Sequence, residues 1–324
     1  MKAVVCHQFS KVDDLTLDTL EQPVAKKGQV VVNIEAAGVN FPDGLLVQGL
    51  YQMKPPTPFT PGSEIAGTIS ELGEGVTHLK VGQRVLAFCM LGGFAEQVAV
   101  DAHLIMPLPD AIPTVEAAGL LTAHATAHHG LRQRGQLQAG ETLLVTGAGS
   151  GTGLAAVQIG KAIGAKVIAV CSSDEKLAIA KANGADIGIK HTDGDLKAAI
   201  KAATDGKGVD VAYECIGGDI FKACLSNMAW NGRLLVIGFA GGEIPLVPVN
   251  LTLVKGCAVV GVFWGTFTQK QPQEFVKNMH ELMGWYLAGN VKVIVDEQFA
   301  LADTVAGIEK VMSGKVNGKV VIVP

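Results

Sequence analysis

The first third of the chain carries short alternating or apolar runs, at residues 2–6, 29–37, 65–72, 84–88 and 96–100, in a stretch punctuated by Gly, Pro and Asn. Short runs in a stretch punctuated by turn formers predict strands and a compact β-rich domain over residues 1 to about 110. From about residue 122 the rhythm changes. Apolar strands at 142–147, 166–171, 209–214, 233–238 and 257–263, with a shorter one near 187–189, alternate with helix-length segments. That alternation predicts an α/β region built on a doubly wound parallel sheet. After Gly265 the alternation breaks into a helix at 273–288, a strand at 291–295, a helix at 302–312 and a strand at 319–323. A tail in that order reads as a return that completes the first domain.

The strand 142–147 runs into Gly147-Ala148-Gly149-Ser150-Gly151-Thr152-Gly153 and then a helix. Glycines let backbone turn sharply and approach phosphates, while N–H groups at a helix start attract anionic oxygens. The strict GxGxxG spacing is not met, because its last position, counted from Gly147, is Thr152. The glycines alone would equally suit a tight strand-to-helix turn. A second buried strand at 166–171, following a helix of suitable length, makes the unit a βαβ nucleotide site. Gly149, Ser150, Gly151 and Thr152 are its expected contacts with the cofactor.

An NAD site needs an acidic residue about twenty positions after the loop to accept from the ribose 2′-hydroxyl. Here the second strand ends in Cys171-Ser172-Ser173. Without that carboxylate nothing there repels a 2′-phosphate, and Ser172, Ser173 and Lys176 can bind one. NADPH is the expected cofactor, although Asp174 and Glu175 stand nearby.

A length of 324 residues suits two domains. With 48% hydrophobic and 17% charged residues the chain can bury two cores, which argues against disorder. A net charge of −4 without a long basic run makes nucleic acid and anionic membrane poor partners. No apolar run reaches the ~18 residues of a membrane span. The six cysteines form no CxxC pair and read as reduced, buried small hydrophobes, so a cytoplasmic location is expected.

The segments Ala37-Gly38-Val39-Asn40-Phe41-Pro42-Asp43, Gln48-Gly49-Leu50-Tyr51 and Pro61-Gly62-Ser63-Glu64-Ile65-Ala66-Gly67 are similar to those of the medium-chain dehydrogenase/reductase superfamily. So are Thr126-Ala127, Gly140-Glu141-Thr142-Leu143-Leu144-Val145, Leu154-Ala155-Ala156-Val157-Gln158-Ile159 and Gly232-Arg233-Leu234-Leu235-Val236-Ile237-Gly238-Phe239. Within that superfamily the chain resembles the zinc-free quinone oxidoreductase group that includes ζ-crystallin. The resemblance implies a GroES-like catalytic domain over 1–121 and 267–324 around a Rossmann NADPH-binding domain over 122–266. Zinc relatives carry Cys where Asn40 stands and His where Ser63 stands, so no metal is expected.

The resemblance also implies a site. Asn40, Asp43 and Tyr51 would lie at the mouth of the catalytic domain, with Asn40 and Tyr51 the catalytic candidates. Asn40 would donate to a substrate carbonyl or to the ribose. Gln48-Gly49-Leu50-Tyr51 is similar to a segment of medium-chain 2-enoyl-thioester reductases in which a tyrosine is the proton donor, and a phenol can stabilise an enolate or quinol oxyanion. Equally, Tyr51 can be an aromatic wall of the pocket. Thr126 matches the family's threonine near the nicotinamide or its ribose, and His191 stands where the family commonly has a tyrosine near the phosphate. Phe239, Phe263 and Trp264 follow strand ends of the parallel sheet, where ligands gather. His124 and His128 share a helical face and invite a metal reading, but no third ligand is identifiable. The expected activity is hydride transfer from NADPH to an electrophilic acceptor, a quinone or enone. The alternatives are a 2-enoyl-thioester reductase, with Arg132, Arg134 and Lys270 as cations for a carrier, and a non-catalytic NADPH-binding structural or sensor protein. A homodimer formed along the apolar last strand, 257–263, is expected.

Overall fold

The computed structural model describes residues 1–324, and the chain divides into one unit of Met1–Thr122 with Val293–Pro324 and another of Ala123–Lys292. In the first, β1 (Lys2–Val5) pairs antiparallel with β2 (Thr16–Thr19). The long strand β3 (Gln29–Val39) is followed by the short helix α1 (Phe41–Val47) and by β4 (Glu64–Leu72), β5 (Arg84–Phe88), β6 (Gln97–Asp101) and β7 (Ile105–Pro107). Helix α2 (Thr114–His128) then crosses the boundary between the units.

The second unit holds β8 (Thr142–Thr146), α3 (Gly151–Ile163), β9 (Lys166–Cys171), α4 (Asp174–Ala182), β10 (Ile187–Lys190), α5 (Leu196–Ala203) and β11 (Val209–Glu214). It continues with α6 (Gly218–Ser226), β12 (Met228–Val236), α7 (Val249–Lys255), β13 (Ala258–Gly261), α8 (Trp264–Lys270) and α9 (Pro272–Leu287). The chain then re-enters the first unit through β14 (Val295–Ala300), α10 (Thr304–Met312) and β15 (Lys319–Val323).

Returning strands build the first unit's sheet, whose order is β14-β15-β3-β4-β5-β7, with β6 also on β3. Alternate residues of β3, Val30, Val32 and Ile34, face a core shared with Ile65, Val85, Phe94, Ile308 and Val320. A side chain at Gly38 would collide with the Glu64 carboxylate and the Ala118 carbonyl, so the bare backbone there lets a buried carboxylate approach β3.

The second unit is a parallel sheet in the order β10-β9-β8-β11-β12-β13. Its central strands β8, β9 and β11 are buried on both faces, as helix-covered parallel strands must be. Strand order reverses between β8 and β11, and the carboxyl ends of these two strands flank the crevice where such sheets bind ligands. Capping residues fix the helices: Gly164, at φ 96°, ends α3, and the Ser173 hydroxyl accepts the Lys176 N–H at the start of α4.

Several element bounds and one domain boundary differ from expectation, and the strand expected at 233–238 runs Met228–Val236. The strand expected at 291–295 forms instead at Val295–Ala300, and the one expected at 257–263 is confined to Ala258–Gly261. The chain leaves the second unit at 292 and not at 266. The cause is α9, which buries Phe275, Met279 and Leu282. Its Asn278 carboxamide donates to Gln133 (3.0 Å), and its Glu281 binds His128 (2.8 Å) and Arg132 (2.6 Å). His128 ends α2, and Arg132 and Gln133 lie in the π-helical turn that follows it, His129–Arg134, which sequence periodicity does not announce. No helix is long and apolar enough to cross a membrane.

Candidate functional site

Asn40 precedes α1 at the end of β3, and its N–H donates to the Asp43 carboxylate at 2.7 Å, which fixes the helix start. Its side chain enters a buried polar cluster. Asn40 Nδ2 donates to Glu64 Oε1 at 2.8 Å, while Asn40 Oδ1 accepts from Lys319 Nζ at 2.8 Å. The Lys319 ammonium, on β15, also donates to Glu64 Oε1 (2.7 Å) and the Val39 carbonyl (3.0 Å), which uses all of its hydrogens. Glu64 Oε2 accepts the Thr122 N–H at 2.6 Å, so the cluster ties the third turn of α2 to β4. Beside that N–H the Thr122 hydroxyl is buried with no partner.

Burial raises the Asp43 carboxyl to about 7, against the pull of the Asn40 N–H and of Lys319. Tyr51 is half-buried against the same core, and its phenol is pushed up by desolvation and by the Asp43 charge. A neutral phenol is a donor, the state needed to meet a developing oxyanion. Asn40 is different, since both its amide N–H bonds and its carbonyl are directed at protein partners.

In the second unit the residues after β8 form a cradle. Gly147 has φ 60°, and a side chain at Gly153 would collide with the Gly147 carbonyl. This leaves the first-turn N–H groups of α3, which have no intrahelical acceptor, open to an anion. The hydroxyls expected to bind the cofactor already have protein partners: Ser150 Oγ donates to the Gly147 carbonyl (2.6 Å), and Thr152 Oγ1 pairs with the Tyr213 hydroxyl of β11 (2.7 Å). Their backbone, with that of Gly149 and Gly151, forms the cradle. Lys176 lies across it, its Cβ 2.7 Å from where a Gly149 side chain would begin. Ser172 is exposed at the end of β9 beside the α4 cap. The open N–H groups at the start of α3 and the absence of space for side chains at Gly149 and Gly153 fit a dinucleotide phosphate.

The other expected residues are more dispersed. His191 follows β10, donates its N–H to the Cys171 carbonyl (3.0 Å), and is lowered by desolvation, so it offers a neutral donor at pH 7. Phe239 reaches the Gly217 turn at the sheet's carboxyl edge. Phe263 is half exposed, whereas Trp264 is buried and meets Phe275 edge-on at 5.9 Å, a packing role. Thr126 sits on α2 in the second unit, partly buried. The histidines diverge: His124 approaches Gln158 (3.4 Å), His128 binds Glu281, and His129 stacks on Phe267 with centroids 3.9 Å apart. Burial, the largest influence, lowers both His128 and His129. Arg132 is held by Glu281 and Arg134 by the Gly261 carbonyl (3.1 Å), so two of the three prospective carrier cations, Lys270 being the third, already have protein partners. Sequence reading missed Glu64, Lys319 and Thr122 as a group; the juxtaposition of Glu64 with Asn40 and Ser63 was the one available signal.

A β-rich unit closed by the chain's end and a parallel sheet bearing a phosphate cradle define a nucleotide-dependent dehydrogenase architecture. Residues 26–110 match the family described as "Alcohol dehydrogenase GroES-like domain" and residues 151–283 the one described as "Zinc-binding dehydrogenase". The chain is 37% identical to "Quinone oxidoreductase-like protein 2 homolog" of Nematostella vectensis, over 99% of this chain and 88% of that protein. A probable oxidoreductase from Mycobacterium abscessus superposes with a TM-score of 0.91 at 37% identity, covering 100% of this chain and 99% of the other. Escherichia coli quinone oxidoreductase, solved with NADPH, superposes with a TM-score of 0.95 at 27% identity, covering 100% of each. The chain belongs to the medium-chain dehydrogenase/reductase family of oxidoreductases, in its quinone oxidoreductase group.

Zinc, which one family description names, does not fit these residues. Asn40 and Ser63 offer no thiolate or imidazole, and the Lys319 ammonium stands 2.7–2.8 Å from both oxygens a cation would need, Glu64 Oε1 and Asn40 Oδ1. No group of three or more His, Cys, Asp or Glu side chains is disposed to hold a metal ion.

Proposed function

We propose that the chain is an NADPH-dependent reductase that delivers hydride, without a metal, to a quinone or another conjugated carbonyl compound. The observation that carries this reading is the α3 cradle with Lys176 laid across Gly149, beside a β9 end without a carboxylate at Ser172 and Ser173. The NADPH held by the Escherichia coli quinone oxidoreductase supports the same cofactor. NADPH supplies the hydride. The α3 N–H groups bind its pyrophosphate, and Lys176 with Ser172 neutralises and hydrogen-bonds the 2′-phosphate that an acidic residue would repel. Tyr51, kept protonated by burial and by Asp43, donates a hydrogen bond to the oxygen that gains charge as hydride arrives. Asn40 holds the entry to α1 and, through Glu64, the Thr122 segment of α2.

NADPH consumption followed spectroscopically with quinones, enones and enoyl thioesters tests the reading. Turnover is expected with the first two, unchanged by a chelator. No turnover with any acceptor despite tight NADPH binding would leave a non-catalytic binding protein.

The partner of the second unit is, on this reading, another copy of the chain. Strand β13 ends the sheet unpaired on its outer side. Trp230, Ile244, Leu246, Val249, Leu253 and Val254 are all exposed, Leu253 by 81%. An apolar edge of that kind requires cover in solution. Six free thiols suit a reducing cytoplasm.

A further inference from the structure

Glu214 is fully buried at the carboxyl end of β11, and no cation is among its partners. Its carboxylate is held by neutral donors alone. Oε1 accepts from the N–H groups of Ile216 (2.8 Å) and Gly217 (3.0 Å) and from the Thr146 hydroxyl (3.2 Å), and Oε2 from Gly217 N–H (3.1 Å). The Thr146 hydroxyl in turn accepts the Cys215 N–H at 2.9 Å. Burial pushes the Glu214 carboxyl up, and a carboxyl buried without a counterion is costly, so a chain that keeps one there gains something from the shape it imposes.

That shape is a latch between two loops. The carboxylate curls residues 215–217 into a tight turn, and the turn is stitched to the loop after β12. Ala240 N–H donates to the Cys215 carbonyl (2.9 Å), Gly241 N–H to the Ile216 carbonyl (2.8 Å), and Gly218 N–H to the Glu243 carbonyl (3.1 Å). Phe239 lies 3.5 Å from where a Gly217 side chain would begin, and Ile216 Cδ1 is 3.3 Å from the same point on Gly147, in the phosphate cradle. Glu214 therefore fixes one wall of the crevice at the strand-order reversal.

The two halves of a dinucleotide fall on opposite sides of β8. Lys176 and Ser172 lie on the β9 side, so the 2′-phosphate half runs that way and the nicotinamide half runs over the ends of β11 and β12. Building on the NADPH reading above, we infer that Glu214 is a positioning residue for the nicotinamide half of the cofactor, acting through the 215–217 and 239–243 loops.

The test compares binding of NADPH with binding of adenosine 2′,5′-bisphosphate, which carries only the phosphate half, by calorimetry on the full chain. Glu214→Gln replaces two acceptor oxygens with one and puts N–H against N–H. It is expected to weaken NADPH about tenfold, the value of one hydrogen bond to a charged group, and to leave the bisphosphate within about twofold, inside one kcal/mol. Thr146→Val, which changes no charge, should show the same asymmetry to a smaller extent, and it decides the matter if Glu214→Gln does not fold. Equal weakening of both ligands, or of neither, overturns the inference while leaving the cofactor reading intact. Failure of the wild-type chain to bind either ligand overturns both.

Discussion

Removing the Lys319 ammonium should cost the first unit far more than removing it together with its partner. In Lys319→Met the linear side chain remains, but Glu64, fully buried, keeps only the Asn40 amide and the Thr122 N–H. Three hydrogen bonds, to Glu64, Asn40 and Val39, are lost at once. Breaking a buried pair by deleting one member costs about 3–5 kcal/mol, chiefly for the charge left behind. At about 2–4 °C per kcal/mol for a domain of this size, the unit's melting transition should fall by roughly 6–20 °C. Glu64→Gln combined with Lys319→Met removes both charges and should restore most of the loss, because buried pairs exchanged for neutral groups of similar volume are often nearly neutral in stability. Differential scanning calorimetry with the two transitions resolved measures each variant. A single variant that melts within about 2 °C of wild type, under one kcal/mol, or a double variant no more stable than the single one, would refute the account of the cluster.

Lys176→Ala should weaken NADPH by about tenfold or more, one charge-assisted contact, with NADH affinity little changed; equal loss for both cofactors in a fluorescence titration would remove the 2′-phosphate assignment. Tyr51→Phe should lower kcat with enones by up to about 2.7–4 kcal/mol in barrier, the value of an oxyanion donor, without altering NADPH affinity, and an unchanged kcat for every acceptor reduces Tyr51 to a pocket wall. Asp43, raised from 3.8 to about 7 by burial, binds a proton in the folded chain that the unfolded chain has released between those values. Its contribution to stability is therefore largest at low pH and declines as pH rises toward 7, by about 3 kcal/mol at most between pH 5 and 8. Asp43→Asn should flatten that decline in urea titrations, and an identical pH slope in the variant would count against the raised carboxyl. Leu253→Asp should yield monomers by light scattering if the β13 edge pairs two copies; an unshifted mass removes that interface.

The parallel sheet was legible because its leading strands are apolar runs followed by a glycine or a polar cap, as at Val145-Thr146-Gly147 and Cys171-Ser172-Ser173. The cradle was legible for the same reason, although the Ser150 and Thr152 hydroxyls turned inward to partners the sequence does not reveal. Lys319 was not legible. It opens a strand in a Gly-Lys-Val pattern that reads as a solvated edge, and its carboxylate partner lies 255 positions earlier. Helix α2 is apolar almost all round, so it shows no amphipathic period, and the point where it passes from one unit to the other left no mark on the pattern. The return into the first unit was expected too early because α9 carries an ordinary amphipathic stripe, and only the partners of that stripe say which unit owns it.

The closing strand of the chain has a consequence for how the protein is made. Strand β15 sits inside the first unit's sheet, between β14 and β3, and delivers the ammonium that neutralises Glu64. A ribosome that has finished Thr122 must still add the whole of the second unit and the last helix before β3 finds that neighbour. At about 5–20 residues per second this delay lasts roughly 10–40 s. Throughout it the amino-terminal segment carries an unpaired apolar strand edge and a carboxylate without its cation, while the middle of the chain already has everything its own sheet requires. Vectorial synthesis thus favours the nucleotide-binding unit folding first, and leaves the nascent amino-terminal segment as the part exposed to chaperones and to mispairing.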